Sequence, residues 1–574
     1  MRSSSTHLDQ SSLAQRSGRG SLALLLLILV ALAVPKIVLS INSRLPGIDG
    51  GYYTEVAGHV RDGEGLVTNV SLYHQGFESF PHPTSVSPLW PLVYGYTARV
   101  FPIQSVGIWL PTCFYFLALI FAYLFARRLL PEPFFPTSLP AFLPAHALVV
   151  LIGLHKEFFQ FTSLPNTEGL AYTLLFAGLW RSLRCFERAN LVAGLELSLW
   201  LGLMMLARGQ LMIVAFALYP ALLFGLFRSN NRRRYLSFIT GSIVPCALLL
   251  GWHHSYVQSF LEDDSFGAMF RFDKARASSL LSAFDPILHV DGLWAYIADR
   301  SRGFLVAFDP TSNQGYSKSF GLFHYFLVVG LIAGVASSAR LFNERKLWLD
   351  RLRGSSAAPW IFLGLLALAG FFSIHTIHKS YYVEWNFARR QALTAAFLMF
   401  VSLVILMRHR NALLRIGSLL LMIASTGLGY ANVVEFTVRQ TVLADKHSAN
   451  YNPQLVDWIN RKRASKGKLT VALTAQEPQK TAYQTPGVGY HWIYWETLPD
   501  DVNRLADQTD LDYVIVGKEA KAWAFCRDGS DFGVHFRQVG RPVSGFEIFE
   551  PREGAHDSRN DSNTHRTRKN IRNQ

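Results

Sequence analysis

Apolar segments of membrane-spanning length recur along most of this sequence and limit what it can fold into. An α-helix needs about 20 mainly apolar residues to cross the hydrocarbon core of a bilayer. Hydrophobic residues make up 50% of the 574 residues, and the mean hydropathy is +0.19. We therefore predict a polytopic α-helical membrane protein with about eleven transmembrane helices, of which the shorter ones could merge or be re-entrant. The predicted spans are residues 22–41, 106–126, 141–154, 164–183, 191–206, 211–227, 238–252, 320–339, 359–377, 393–407 and 413–434.

The first apolar segment, residues 22–41, has two interpretations. It follows a polar N-terminus with three arginines, as the core of a signal peptide does. It is long for such a core, however, and no pair of small residues marks a cleavage site after it. We predict that it is retained as a span and that residues 1–20 form a cytoplasmic N-terminus.

The positive charge of the chain is spread over loops between the apolar segments. The formal net charge is +15, but its dispersal argues against nucleic acid as a partner and suits contact with membrane lipids. If every segment crosses once, five basic loops fall on the N-terminal side, as the positive-inside rule requires. These loops carry their Lys and Arg at residues 127–128, 181–188, 228–234, 340–353 and 408–415. We predict an integral, multi-pass protein, with a bacterial inner membrane as the best-suited location.

Three regions are predicted to lie on the opposite, extracytoplasmic side. Within a transmembrane domain of residues 21–434, they are a first outer loop at 42–104 and a second long outer loop at 253–319. The third region, residues 435–550, changes character: residues 469–474 and 513–516 are typical of strands, and 452–464 of an amphipathic helix. We predict an extracytoplasmic α/β domain there and a disordered tail at 551–574.

The first outer loop concentrates polar and aromatic residues where membrane meets water. Asp49 follows the first apolar segment by a few residues. A carboxylate tethered there can take a proton from a hydroxyl presented at the bilayer surface. Asp49 is therefore the leading candidate for a functional residue.

The residues around Asp49 resemble a family motif. Residues 48–57 read IDGGYYTEVA and are similar to the acidic motif of the GT-C superfamily of membrane glycosyltransferases, especially the bacterial branch related to aminoarabinose transferases and protein O-mannosyltransferases. Gly50 stands where that motif often has a second acidic residue. Looser similarities lie at residues 81–83 (PHP), 87–92 (SPLWPL), 165–168 (PNTE), 206–208 (LAR) and 386–390 (NFARR).

The resemblance implies a transfer reaction at residues 21–434, a GT-C-like transmembrane catalytic domain. It implies an enzyme that moves a sugar from a polyprenyl-phosphate carrier to a lipid, glycan or protein acceptor, with Asp49 as general base. Such a reaction needs cations to stabilise the departing phosphate and residues to hold the sugar. The predicted substrate-binding residues are Tyr52, Tyr53, Glu55, His74, His82, Glu168, Arg208, Lys379, Arg389 and Arg390, with Lys156 and Arg271 as further candidate cations. A divalent metal stays an open alternative.

Each of these assignments has a structural alternative. Asp49 could cap a helix that begins near Tyr52, and the two tyrosines could belong to an interfacial aromatic belt. His74 and His82 show no metal-ligand spacing and could be ordinary loop histidines. Glu168 could complement a helix dipole.

The late basic residues, Lys379, Arg389 and Arg390, could snorkel at span ends. They fall, however, on the side opposite the five basic loops, where insertion topology does not call for arginine. That placement favours Arg389 as a functional residue.

Two other functions remain open from the sequence. A transporter or flippase of lipid-linked sugars would account for the spans, but transporters tend to carry ionisable groups near the bilayer midplane. Here most charges lie at span ends and in loops, which favours the enzyme. An oligosaccharide ligase or polymerase would share the donor class and differ in the length of the glycan that moves.

Overall fold

A computed structural model describes twelve stretches of the chain and one isolated position. These are residues 5–42, 47–72, 80–84, 86–129, 143–258, 357–372, 412–447, 452–474, 481–493, 511–517, 532–540, 543 and 545–552. The predicted spans at 320–339 and 393–407 lie outside the described residues, as do most of the second outer loop at 253–319 and of the tail at 551–574.

Helices form most of the described chain. They are α1 Ser5–Asn42, α2 Gly47–Asp62, α3 Leu89–Thr97, α4 Ile103–Leu129, α5 Leu143–Gly153, α6 Lys156–Phe161, α7 Glu168–Arg188, α8 Leu191–Ala207, α9 Ile213–Arg228, α10 Arg232–Gly241, α11 Val244–Gln258, α12 Ala358–Phe372, α13 Ala412–His447, α14 Pro453–Lys466 and α15 Phe532–His535, with a 3₁₀ turn at Gly209–Met212. The strands are β1 Val67–Thr68, β2 Val70–Leu72, β3 His82–Pro83, β4 Leu469–Thr474, β5 Val488–Ile493, β6 Tyr513–Gly517, β7 Phe536–Gln538 and β8 Phe546–Pro551.

Several of these helices have the length and composition of membrane spans. Within the described residues, four segments are long and apolar enough to cross a bilayer: Gly20–Asn42, Ile103–Leu129, Arg232–His253 and Arg415–Val442. Two shorter apolar helices are α8 and α9. The chain is therefore a helical protein of membrane type, and the count of about eleven spans stays a prediction.

Contacts divide the chain into two units, which are described separately. The first unit is Met1–Ser43, Ser85–Trp90 and Ile108–Val442. The second is Arg44–Thr84, Pro91–Gly107 and Leu443–Gln574. The second unit thus combines most of the first outer loop with the region after the last predicted span, whereas the sequence placed these in separate domains.

Close helix packing in the first unit depends on small residues and on polar links. A Cβ on Gly194 would lie 2.2 Å from the carbonyl oxygen of Phe238, so only glycine lets α8 approach α10 this closely. The hydroxyls of Ser40 and Thr112 are 2.7 Å apart and join α1 to α4. In a bilayer such buried polar pairs hold spans together, because lipid offers their hydroxyls no partner.

A six-stranded sheet forms the centre of the second unit. Its strand order is β2-β5-β4-β6-β8-β7, parallel from β2 to β6 and antiparallel at β8 and β7. Helix α14 packs on one face, where Leu455 and Ile459 meet Val471 and Tyr490. The predicted strands at 469–474 and 513–516 and the predicted helix at 452–464 are all confirmed.

The edge strand β2 comes from the first outer loop and not from the C-terminal region. Val70 and Leu72 pair with Tyr490 and Trp492 of β5, and the Tyr490 N–H donates to the carbonyl of Asn69 at 2.7 Å. A Cβ on Gly489 would lie 2.3 Å from the Phe80 ring, so this part of the loop also lies directly on β5. The sheet is therefore completed by a segment that precedes its other strands by about 400 residues.

The two neighbouring residues Tyr490 and His491 of β5 provide a stability test. His491 is 1% exposed, neither ring nitrogen has a hydrogen-bond partner in the described part of the chain, and burial next to His82 lowers its pKa to about 4. A buried unsatisfied group costs about 1–3 kcal/mol, so His491→Met should slow amide exchange across β5 of the full chain. The Tyr490 hydroxyl bonds Thr485 at 2.5 Å, so Tyr490→Phe should speed the same exchange. Equal effects of both changes would contradict this account.

Candidate active site

Asp49 lies in the first turn of α2 and is exposed to solvent. The helix begins at Gly47, so Asp49 is inside it and does not cap a helix that starts near Tyr52. The capping alternative is wrong, because the helix already starts at Gly47, two residues before Asp49. A carboxylate in a first helical turn is favoured by the helix dipole, and here it also remains accessible.

The tyrosines beside Asp49 fix α2 within its unit. Tyr52 packs against the sheet core around Val471 and Tyr490, and its hydroxyl lies 2.9 Å from that of Thr84. Tyr53 meets Tyr52 edge to face, with ring centroids 6.4 Å apart. Tyr52 thus has an anchoring role in addition to any contact with a substrate.

Glu55, one turn after Tyr52, is only 5% exposed and is fully engaged by protein donors. Its carboxylate accepts hydrogen bonds from the Thr68 hydroxyl at 2.7 Å and from the Asn69 backbone N–H at 2.7 Å. His59 lies 2.8 Å from the same carboxylate. These bonds tie α2 to residues 68–69, which lead directly into β2.

His59 carries the positive charge of this network. Burial alone would lower its pKa, but hydrogen bonds and charge from Glu55 and Glu64 raise the pKa to about 9. The imidazolium is therefore the form present at neutral pH, paired with one buried and one exposed carboxylate.

His82 is buried on β3, which pairs with β1 in an antiparallel ladder. Its Nδ1 lies 2.9 Å from the carbonyl of Pro83, and its ring is 5.6 Å from that of Phe80. Burial lowers the pKa of His82, so it is neutral near pH 7. Among the described residues, no group of three or more His, Cys, Asp or Glu is arranged to hold a metal ion.

In the first unit, the structure joins two of the loosely matching segments through an ion pair. Glu168 is the first residue of α7 and is 1% exposed, while Arg208 ends α8 with its side chain 16% exposed. Their Oε1 and Nη1 atoms are 2.9 Å apart. Glu168 thus keeps its predicted place at a helix start and also neutralises the guanidinium of Arg208.

A third matching segment, residues 87–92, contacts residues close in sequence to this ion pair. The Trp90 indole N–H donates to the Pro165 carbonyl at 2.9 Å, and the Ser87 hydroxyl accepts from the Gly209 N–H at 3.2 Å. Asn166 follows Pro165 in the chain and is buried, and its Oδ1 has no hydrogen-bond partner in the part of the chain described. These three segments are far apart in the sequence, and no pattern in the sequence indicates that they lie next to each other.

Most of the other predicted site residues lie outside the part of the chain that the structure describes. His74, Lys379, Arg389 and Arg390, and the candidate cation Arg271, lie outside the described residues. Lys156 begins α6. The sequence analysis missed Lys36, which is buried within the first span; the signal for it was a single lysine in an otherwise apolar segment.

Comparison with known proteins identifies the fold. No protein-family model and no curated protein matches the sequence, but solved structures do. The apo oligosaccharyltransferase of Archaeoglobus fulgidus matches with a TM-score of 0.55 at 13% identity, over 93% of this chain and 75% of that chain. The same enzyme tethered to an acceptor peptide containing the NVT sequon matches at 0.53 and 12% identity, over 86% and 69%. The chain therefore shares the fold of this archaeal oligosaccharyltransferase, which agrees at the level of fold with the resemblance seen around Asp49.

A solved structure of another protein matches with a lower score. ArnT from Cupriavidus metallidurans in the apo state matches with a TM-score of 0.49 at 12% identity, over 91% of this chain and 97% of that chain.

The ion pair between Glu168 and Arg208 yields a stability prediction. Removing Arg208 leaves the Glu168 carboxylate buried without its partner, which costs about 3–5 kcal/mol, whereas removing Glu168 leaves an Arg208 side chain that is partly open to solvent and costs less. Glu168→Gln or Arg208→Gln should therefore lower the thermal unfolding midpoint of the purified protein. The double substitution should cost less than the sum of the two, because it leaves no unpaired charge. Strictly additive effects would argue against a direct pair.

The pKa of His59 yields a pH prediction. In the unfolded chain the imidazole titrates at about 6.5, and in the folded chain its pKa is about 9. Its stabilisation is therefore complete below about pH 6.5 and is lost as the pH rises through 9. Amide protection of α2, corrected for the intrinsic exchange rate, should fall over that window in the wild type. It should stay level in His59→Gln; a parallel fall in both proteins would exclude His59 as the cause.

Proposed function

We propose that this chain is a membrane glycosyltransferase that acts on the extracytoplasmic side. It moves a sugar from a polyprenyl-phosphate carrier to a lipid, glycan or protein acceptor. The observation that carries the proposal is an exposed carboxylate, Asp49, in the first turn of the helix that follows the first span, in a chain with the GT-C fold.

Asp49 serves as the general base. The acceptor hydroxyl attacks the anomeric carbon of the donor sugar, and its proton passes to the Asp49 carboxylate. The bond from the anomeric carbon to the phosphate oxygen breaks, and the polyprenyl phosphate leaves with the electron pair. General-base assistance of this kind contributes about 10²–10⁴-fold.

Arg208 is the described cation proposed to bind the donor phosphate. Its side chain is partly open to solvent, and Glu168 holds its guanidinium in one orientation. A planar guanidinium matches the oxygen geometry of phosphate. Lys379, Arg389 and Arg390 are proposed for the same task, and Tyr52 and Tyr53 for contact with the sugar.

The described residues around Asp49 do not supply the ligands of a divalent metal. Gly50 supplies no carboxylate beside Asp49, and the Glu55 carboxylate is already held by three protein donors. The donor set of the described residues therefore does not fit a divalent ion at this helix.

The wider architecture is part of the proposal. It comprises about eleven spans, an extracytoplasmic α/β region at 435–550 and a location in a bacterial inner membrane with the N-terminus inside. The C-terminal region would position the acceptor or contribute to donor specificity.

An oligosaccharide ligase is the second candidate. The matching Archaeoglobus fulgidus protein is an oligosaccharyltransferase and was solved with a tethered acceptor peptide. In that case a whole glycan would move in one step from the same class of carrier, and the same base and cations would be needed.

The decisive substitution is Asp49→Asn. Membranes with the wild type, Asp49→Asn or Asp62→Asn would receive radiolabelled polyprenyl-phosphate sugars and an acceptor extract from the host. Asp62 is an exposed carboxylate at the other end of the same helix, paired with Arg61, and is a matched control. We expect Asp49→Asn to fold normally and lose about 10²–10⁴-fold of transfer, and Asp62→Asn to retain it.

The outcomes separate the candidate functions. Full transfer by Asp49→Asn would exclude Asp49 as the base. Transfer of a preassembled glycan in preference to a single sugar would favour the ligase. Absence of transfer by the wild type over a broad donor panel, with movement of lipid-linked sugar across vesicle membranes, would favour a transporter.

A further inference from the structure

Lys36 is a cationic side chain inside the first membrane span, Gly20–Asn42, and is 0% exposed. Its Nζ donates hydrogen bonds to the carbonyl of Phe159 at 2.6 Å, the hydroxyl of Thr162 at 2.7 Å and the hydroxyl of Ser163 at 2.6 Å. Ionisable residues are rare inside spans because they are costly there, so this arrangement requires a reason.

The three partners of Lys36 match the donors of its charged form. A carbonyl oxygen can only accept. The Thr162 hydroxyl donates its hydrogen to the Phe158 carbonyl at 2.5 Å, and the Ser163 hydroxyl donates to the Phe159 carbonyl at 2.9 Å. With their hydrogens so placed, both hydroxyls accept from Lys36, and the three acceptors match three N–H donors. An ammonium has three, whereas a neutral amine has two.

Aromatic rings complete the surroundings of the ammonium. Its nitrogen lies 4.7 Å from the centre of the Tyr115 ring and 4.9 Å from that of Phe159. Rings at this distance attract a cation, more strongly when it is desolvated. The Tyr115 hydroxyl in turn donates to the Gly153 carbonyl at 2.7 Å, so α1, α4 and the end of α5 meet around one charge.

The segment held by Lys36 leads within a few residues to the Glu168 ion pair. Ser163 is followed by residues 164–167 and then by Glu168, which pairs with Arg208. Trp90 holds Pro165 in the middle of this connection. Lys36 therefore fixes the beginning of the segment whose end presents Glu168 to Arg208.

We propose that Lys36 is a positioning residue: its buried ammonium holds residues 159–163 in place, so that Glu168 is aligned with Arg208. This deepens the proposed function, and its activity readout rests on that function. Lys36 itself touches only the protein, and the effect of losing it passes through Glu168.

Hydrogen exchange on the full chain tests the proposal without any assay of activity. We expect Lys36→Met to raise the exchange of amides at 159–170 at least tenfold and to leave α8 unchanged. Ser40→Ala is the matched control, because it removes a hydroxyl of the same helix that contacts Thr112 and not residues 159–163. Unchanged exchange at 159–170 in Lys36→Met, or an equal rise in Ser40→Ala, would overturn the proposal. If Lys36→Met does not fold, Thr162→Val removes one of the three acceptors and should raise the same exchange.

A double-mutant cycle on sugar transfer separates positioning from general stability. A small displacement of a catalytic group costs about 10²-fold, so Lys36→Met should lower kcat/KM for the donor by that factor. In a Glu168→Gln background the further loss should be under about threefold, because the group that Lys36 positions is already gone. Equal losses in both backgrounds would overturn the route through Glu168. If the wild type transfers no sugar, the proposed function fails and the exchange experiment alone still decides the role of Lys36.

Discussion

The pairing of β2 with β5 is the interaction on which the second unit depends. A strand leaves its backbone N–H and C=O groups to be satisfied by a neighbour, and β5 receives that neighbour from the first outer loop. Strand β2 therefore cannot pair until the C-terminal region is made. Because Tyr52 packs on the same sheet core, the position of the helix that carries Asp49 is set by residues about 400 positions later.

The first unit depends on a few buried polar contacts within apolar surroundings. Helix packing in lipid gains little from the hydrophobic effect, because lipid tails are as apolar as the helix surfaces. Buried polar groups can form their hydrogen bonds in only one packing arrangement of the helices, and so they select that arrangement. Lys36 with its three acceptors and Glu168 with Arg208 act in this way. Apolar side chains in place of either set of polar groups would still pack against the neighbouring helices, but they would not select one arrangement of those helices.

Local patterns in the sequence predicted those parts of the fold that local physics determines. Strands β4 and β6 and helix α14 follow from short apolar runs and from Asn452, whose side chain caps α14. Strand β2 has three residues and a partner far along the chain, so no local pattern contains it. Glu168 and Arg208 were named one by one, but 40 residues separate them and their contact is tertiary. Lys36 was missed because a single lysine near a span end usually snorkels to the interface.

Three of the candidate carboxylates differ in what surrounds them, and the difference bears on the roles proposed for them. Glu55 and Glu168 are buried; the Glu55 carboxylate accepts from protein donors, and Oε1 of Glu168 accepts from Arg208. A base that must take a proton would have to release those donors, at a cost of about 1–3 kcal/mol for each group left unsatisfied. Asp49 is exposed, so an acceptor hydroxyl can reach it from water or from the bilayer surface. The two buried carboxylates hold backbone and cation in place, and the accessible one, Asp49, is the group for which we propose proton transfer.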